Sequence, residues 1–341
     1  MADWELIGNA RPLAALAAGV ANGSPVHSYI FAGPERVGKG AAALLLAAAL
    51  NCPNADPPCR ACEVCRRIAE AKHADVQTVT VEVVTDDGPA RKAISVEQMR
   101  DVEASVMLAP YEGRTRVVII DPADQMSSGA QNAFLKTLEE PPPHVVFVLV
   151  TSDAERLLET VRSRCRRIEF GLVAAAEIEA GLLARDVDAS KAAVLARLSA
   201  GKPGWALEAA ASPALLERRG EALDAARALT SLSIADRMDL AEKLSDQFKR
   251  DRAPVDATLE QWLGWWRDVL LAASDAADSV ANLDRREAIA EDARRYQRSE
   301  VVAFVEALRQ TRQYLRENVQ SRIALDALML RVPGLTPVSA R

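Results

Sequence analysis

Four cysteines, Cys52, Cys59, Cys62 and Cys65, stand in the pattern C-x6-C-x2-C-x2-C. Thiolates separated by two residues can converge tetrahedrally on one zinc ion. Pro53, Pro57 and Pro58 restrict the chain between the first two. Four sulfur ligands leave no coordination position for water or substrate, so the implied role is structural. Two other readings are a redox pair of thiols and a ligand set that includes His73; the second is redundant once four cysteines are present. Cys165, the remaining cysteine, stands in a different motif.

A second constellation suits phosphate. Gly33-Pro34-Glu35-Arg36-Val37-Gly38-Lys39-Gly40 follows an expected strand and opens an expected helix, the context in which a glycine loop curls its N–H groups around phosphate. The helix N-terminus adds partial positive charge, and Lys39 would reach the terminal phosphates. The bland reading is a glycine turn carrying a solvated lysine. Downstream, Val117-Val118-Ile119-Ile120-Asp121 is an apolar strand ending in a carboxylate, where nucleotide motors hold magnesium.

Both halves of this site lack a part. A working loop ends Lys-Ser or Lys-Thr, whose hydroxyl ligates magnesium; here Gly40 stands in that place. A glutamate normally follows the strand aspartate to activate water, and Pro122 replaces it. Asp124, farther along the chain, should point elsewhere. Gly33, Gly38, Lys39, Gly40 and Asp121 therefore form a degenerate nucleotide site, with ATP and magnesium bound weakly or not at all.

The elements that must hold these residues follow from periodicity. Short apolar runs at 28–32, 76–84, 116–120, 145–150 and 166–170 alternate with helical patterns, the signature of a parallel sheet with helices on its faces. Residues 39–50 read as a buried helix. Ser95 and Gln98 form a capping box for a helix that carries Met99, Val102 and Val106 on one face. A further helix runs from about Ser127 to Leu138, stopped by Pro141-Pro142-Pro143. Beyond Phe170 strand signals cease. Residues 173–211 hold two or three short helices, and longer helices follow from 214 to 330. Trp262, Trp265, Trp266 and Leu270 mark one stripe, read as ordinary helix core rather than a stacking surface.

At 341 residues the chain exceeds one ordinary core, so two or three domains are expected. Apolar residues make up 49% and the formal net charge is −6, which argues against disorder and against unaided DNA binding through a basic surplus. The start, Met1-Ala2-Asp3-Trp4-Glu5, lacks secretory-signal character, and the longest apolar run falls short of a membrane span. A cytoplasmic protein without membrane association is expected, in which disulfide staples are out of place.

Asn132-Ala133-Phe134-Leu135-Lys136-Thr137-Leu138-Glu139-Glu140-Pro141-Pro142, then a strand ending Thr151-Ser152, then Ser163-Arg164-Cys165 together resemble the ATPase modules of bacterial DNA polymerase III clamp loaders, an AAA+ family. With the glycine loop, the resemblance covers roughly the first half of the chain. Within the family the chain is similar to the non-hydrolysing delta-prime type rather than the ATP-hydrolysing gamma or tau type. Gly40 and Pro122 are two of its three losses. The third lies in Gly201-Lys202-Pro203-Gly204-Trp205, where Gly204 takes the place of the family's nucleotide-sensing arginine.

The resemblance implies an α/β fold: an AAA+ type parallel sheet with flanking helices at 1–171, carrying a zinc insertion at about 51–66, a small helical lid at 172–212 and an all-α collar at 213–341. It further implies a stator subunit that assembles with gamma or tau and delta subunits and, through the ring, acts on a sliding clamp and primed DNA. Arg164 would reach the terminal phosphate of a neighbouring subunit's ATP. The bland alternative for Arg162, Arg164, Arg166 and Arg167 is a solvated cluster at a helix C-terminus. The alternatives for the whole chain are an active gamma or tau type ATPase and a separate cytosolic nucleotide-binding regulator unrelated to replication.

Overall fold

The computed structural model describes residues 4–23, 25–84, 91–274, 276–316 and 319–334. The chain groups into two compact units, Met1–Asp186 with Gly201–Trp205, and Val187–Ala200 with Ala206–Arg341.

In chain order the first unit holds α1 (Ala10–Ala21), β1 (Ser28–Ala32), α2 (Lys39–Asn51), α3 (Glu63–Ala69), β2 (Val76–Val79), β3 (Glu82–Val84) and β4 (Arg91–Ala93). It continues through α4 (Val96–Val106), β5 (Arg116–Ile120), α5 (Ser128–Glu139), β6 (Val145–Thr151), α6 (Glu159–Arg162), β7 (Arg166–Glu169) and α7 (Ala175–Leu183). Five strands form one parallel sheet in the order β2-β5-β6-β1-β7. Every residue of β6 is buried, as a central parallel strand covered on both faces requires. Strand alternation deals its side chains to two cores: Val146, Val148 and Val150 join Tyr29, Phe31 and Ile119 on one face, while Val145, Phe147 and Leu149 join Ile30, Val118 and Phe134 on the other.

Local chemistry sets the helix boundaries. Ser95 and Gln98 make the reciprocal capping box that opens α4, and the Ser127 side chain accepts from the Ala130 N–H at the start of α5. The run 76–84 is not one strand. Its pairing with β5 ends at Val79 opposite Ile120, and after a break Glu82–Val84 turns to an antiparallel ribbon with Arg91–Ala93. The sheet offers β2 no partner past Ile120, so the chain leaves it there.

The second unit is helical, with α8 (Ala189–Leu198), the greater part of α9 (Pro203–Ala211), α10 (Pro213–Ala228), α11 (Ile234–Arg250), α12 (Arg252–Ala272), α13 (Arg286–Arg295), α14 (Arg298–Arg316) and α15 (Ser321–Met329). Val255, Leu259, Trp262, Trp266 and Val269 of α12 recur at helical spacing and are all buried in its core. The Trp266 ring meets Phe304 edge-on at 5.3 Å, so the tryptophan stripe is core, as its periodicity implies. None of the helices in the described residues is long and apolar enough to cross a membrane.

Candidate nucleotide and metal sites

In this sheet order β1 lies between β6 and β7, while the chain leaving β1 goes to β2 at the far edge. The crevice beyond the carboxyl end of such a strand is where open α/β sheets bind ligands. The glycine loop sits there. Gly33 has φ +142°, and a β-carbon on it would lie 2.0 Å from the Phe170 carbonyl oxygen, so only glycine fits. Gly38, at φ +101°, is the N-cap of α2. Lys39 is buried, and its Nζ donates to the carbonyls of Gly33 at 2.7 Å and Pro34 at 2.6 Å. Burial lowers its pKa, opposed by the charges of Asp121, Glu35 and Asp124. Asp121 shifts upward for the same reason, opposed by Lys39.

Asp121 directly follows β5, beside the loop. A β-carbon on Gly40 would lie 3.1 Å from Asp121 Oδ2, so a side chain at position 40 would be next to that carboxylate, and here there is none. Asp124 is engaged elsewhere: its Oδ1 accepts from Thr151 Oγ1 at 2.7 Å and the Ser152 N–H at 3.2 Å. That ties the 3-10 turn after Pro122 to the end of β6 and directs the carboxylate to a structural bond. Gly204 lies against the same loop. Its N–H donates to the Arg36 carbonyl at 2.8 Å, and a β-carbon there would come to 2.9 Å from that oxygen. No side chain fits at position 204 unless the segment shifts.

Arg164 lies two residues past α6. Its Nη1 donates to the Thr160 carbonyl at 3.0 Å and Ser163 Oγ at 3.3 Å, and its Nη2 to Glu139 Oε1 at 2.7 Å. Nearby, Arg162 pairs with Glu155, and Arg167 with Glu169 and Glu155. The basic run is therefore interleaved with carboxylates rather than forming a patch of one sign.

The four cysteines come together where α2 ends and α3 begins, Cys52 capping the first helix, Cys62 the second, and Cys65 lying in the first turn of α3. Their sulfurs lie within 4.8 Å of one another, with Cys52 to Cys62 and Cys59 to Cys65 each at 4.0 Å. Tetrahedral thiolates on zinc stand about 3.8 Å apart, given a Zn–S bond near 2.3 Å, so the set can hold such an ion with little movement. The Cys62 N–H donates to the Cys59 sulfur at 3.3 Å. That bond, with another from the Ala61 N–H, brings the Cys59 thiol down to about 6, favouring the thiolate a metal needs. Burial pushes Cys65 upward. His73 is buried apart from this set, its Nδ1 accepting from the Asp75 N–H. Cys165 is not in the cluster, and burial pushes its thiol up to about 12.

Two residues that periodicity does not single out tie this part of the fold together. Asn51, the last residue of α2, accepts from the Arg114 and Thr115 N–H groups and donates to the Thr115 carbonyl. Asp75, immediately before β2, accepts from the N–H groups of Tyr111, Glu112 and Gly113 at 2.7, 2.9 and 2.7 Å. Burial alone would raise the Asp75 pKa, but those bonds and Arg116 hold it below the usual carboxylate value.

Residues 8–173 match the family described as DNA polymerase III, delta subunit. The tau subunit of DNA polymerase III from Bacillus subtilis is 36% identical over 167 residues, covering 48% of this chain and 28% of its own. The gamma subunit from Buchnera aphidicola is 35% identical over 176 residues, covering 51% of this chain and 46% of its own. The chain thus spans less than half the length of these relatives. A solved gamma-subunit-related protein from Thermotoga maritima aligns over 94% of this chain and 97% of its own, at 17% identity and a TM-score of 0.40.

Proposed function

We propose, from the match of residues 8–173 to the family described as DNA polymerase III, delta subunit, and the likeness to gamma and tau subunits, that this chain is a non-hydrolysing clamp-loader subunit of the delta-prime type. The observation that carries the proposal is the bare position beside Asp121. Lys39 and the strand carboxylate are in place, but the neighbouring position that should offer a hydroxyl to magnesium is Gly40. Pro122 supplies no carboxylate for water activation, and the close approach of Gly204 to Arg36 leaves no space for a sensing side chain. Each loss alone weakens a motor; together they leave phosphate contacts without the groups that organise hydrolysis.

In this reading the chain works in the cytoplasm, assembled with gamma or tau and delta subunits, and the ring places a sliding clamp on primed DNA. The first half is the nucleotide-type module at 1–171, residues 172–212 act as a lid and 213–341 as the collar. Cys52, Cys59, Cys62 and Cys65 hold a structural zinc ion, with ordering energy of about 10–16 kcal/mol by analogy with zinc-finger peptides. Gly33, Gly38 and Lys39 give at most weak phosphate binding. Arg164 is the residue that acts, on a neighbour's ATP, because a guanidinium stays charged and can bond two phosphate oxygens.

A second reading, an ATP-hydrolysing gamma or tau type subunit, is favoured by the names of the relatives at 35–36% identity and by the retained Lys39 and Asp121. Steady-state ATP turnover by the purified chain separates the two. The delta-prime reading expects none above background, whereas turnover abolished by Lys39→Ala would establish the second.

A further inference from the structure

Arg164 does not stand free. Both terminal nitrogens of its guanidinium are committed within the chain, Nη1 to the Thr160 carbonyl and Ser163 Oγ, Nη2 to the Glu139 carboxylate. A carboxylate presents to guanidinium the same paired anionic oxygens that a phosphate does, so Glu139 occupies a donor that a phosphate would need. Glu139 is also the last residue of α5. A carboxylate there faces the negative end of the helix dipole and gains nothing from it, so helix stability gives no account of its position. From these contacts we infer that Glu139 is a positioning residue that parks Arg164 in cis until a nucleotide phosphate from a neighbouring subunit displaces it. This inference rests on the proposed role of Arg164 in trans.

The exchange is easy in energetic terms. The side chains of Arg164 and Glu139 are 36% and 51% exposed, and ion pairs this open to water are weak. A multiply charged terminal phosphate outcompetes one monovalent carboxylate; once that phosphate is gone, the carboxylate recovers the guanidinium. Glu139 thereby makes engagement of Arg164 depend on the state of the neighbour's nucleotide. The Thr160 carbonyl keeps the arginine near the end of α6 in either state, so only the Nη2 partner needs to change.

The test uses the reconstituted ring, with the phosphate-loop lysines of the other motor subunits substituted so that only the site adjoining this chain turns over. Glu139→Gln, which keeps size and removes charge, should raise kcat/KM for ATP by about two- to fivefold, the range that an exposed pair supports. Glu139→Ala should do the same. On an Arg164→Ala background neither substitution should change the rate, a dependence that a purely structural glutamate would not show. Unchanged or reduced kcat/KM in the Glu139 variants, with Arg164→Ala still slowing the ring, would overturn the parking role alone. If Arg164→Ala itself left the rate untouched, the trans role would fall and this inference with it.

Discussion

A β-carbon on Gly40 would come to 3.1 Å from Oδ2 of Asp121, so position 40 adjoins the carboxylate to which the proposed function would have a hydroxyl residue contribute a magnesium ligand. Gly40→Ser should be accepted, since the new atom meets the end of a side chain rather than backbone. It should restore at most magnesium-dependent nucleotide binding, seen as a thermal shift with ATP and magnesium. Hydrolysis should stay at background because Pro122 still supplies no base, and turnover in the single variant would show that water activation has another agent.

Zinc should be present at about one ion per chain in freshly reduced protein, measured by elemental analysis. Cys52→Ala or Cys62→Ala should abolish it and lower the melting temperature strongly, because metal binding and folding of such a loop are one equilibrium. A chelator should reproduce that loss in the wild type. Cys165→Ala should leave the metal content unchanged, since its sulfur is outside the cluster.

Asp75 should make stability depend on acid pH. Its folded pKa is depressed, so the unfolded chain binds the extra proton in the window between the two values. The stabilisation is then complete above the unfolded value of about 3.9 and is lost as pH falls through the folded value. Asp75→Asn should cost about 1.5–3 kcal/mol near neutral pH, the range for hydrogen bonds to a charged group, and should flatten the acid limb of a plot of unfolding free energy against pH. An unchanged acid limb would show that the three N–H bonds stabilise the fold without a charge on the carboxylate.

Elements specified by neighbouring residues are legible in the sequence, and those specified by distant partners are not. Strands β5 and β6, the capping box at Ser95 and the ends of α5 were legible because their signals are local: apolar runs, a serine three residues before a glutamine, a triple proline. The four cysteines were legible as a group because thiols that are to converge on one point must recur at short spacing. The split of 76–84 was not, since β2 stops where its partner β5 stops, and that partner lies far along the chain. Asn51 and Asp75 were missed for the same reason. Their bonds reach residues 36 to 64 positions away, and nothing in the immediate neighbourhood of either residue announces them. The pairing of Arg164 with Glu139, 25 residues apart, is equally silent in the sequence.

Gly204→Ala should destabilise the protein by about 1–3 kcal/mol, the usual cost of forcing atoms into a filled space, because its β-carbon would meet the Arg36 carbonyl oxygen at 2.9 Å. Gly264→Ala is the control. It lies inside α12, where an added methyl group would have nothing within 4 Å, and should stabilise by up to about 1 kcal/mol through helix propensity. Denaturant melts of the two variants should therefore shift in opposite directions. Equal shifts would mean that the segment around Gly204 moves away from Arg36 at little cost.

Arg164→Ala should leave the chain folded and the ring assembled, because the residue is partly exposed and its bonds are surface bonds. ATP hydrolysis at the adjoining site should fall far more than an exposed ion pair can explain. An arginine supplied in trans is worth roughly 10³ to 10⁵ in rate where it meets the charge that grows on a transferring phosphoryl group. Arg164→Lys should recover only part of the loss, since an ammonium cannot bond two phosphate oxygens in the fixed fork of a guanidinium. The neighbouring Arg162 and Arg167 are the internal comparison, paired with Glu155 and Glu169 at the same edge. Substituting either with alanine should change the rate by no more than a few-fold. If all three arginines gave similar small effects, the cluster would be a solvated helix terminus, and the proposed role of Arg164 in a neighbour's ATP use would fall.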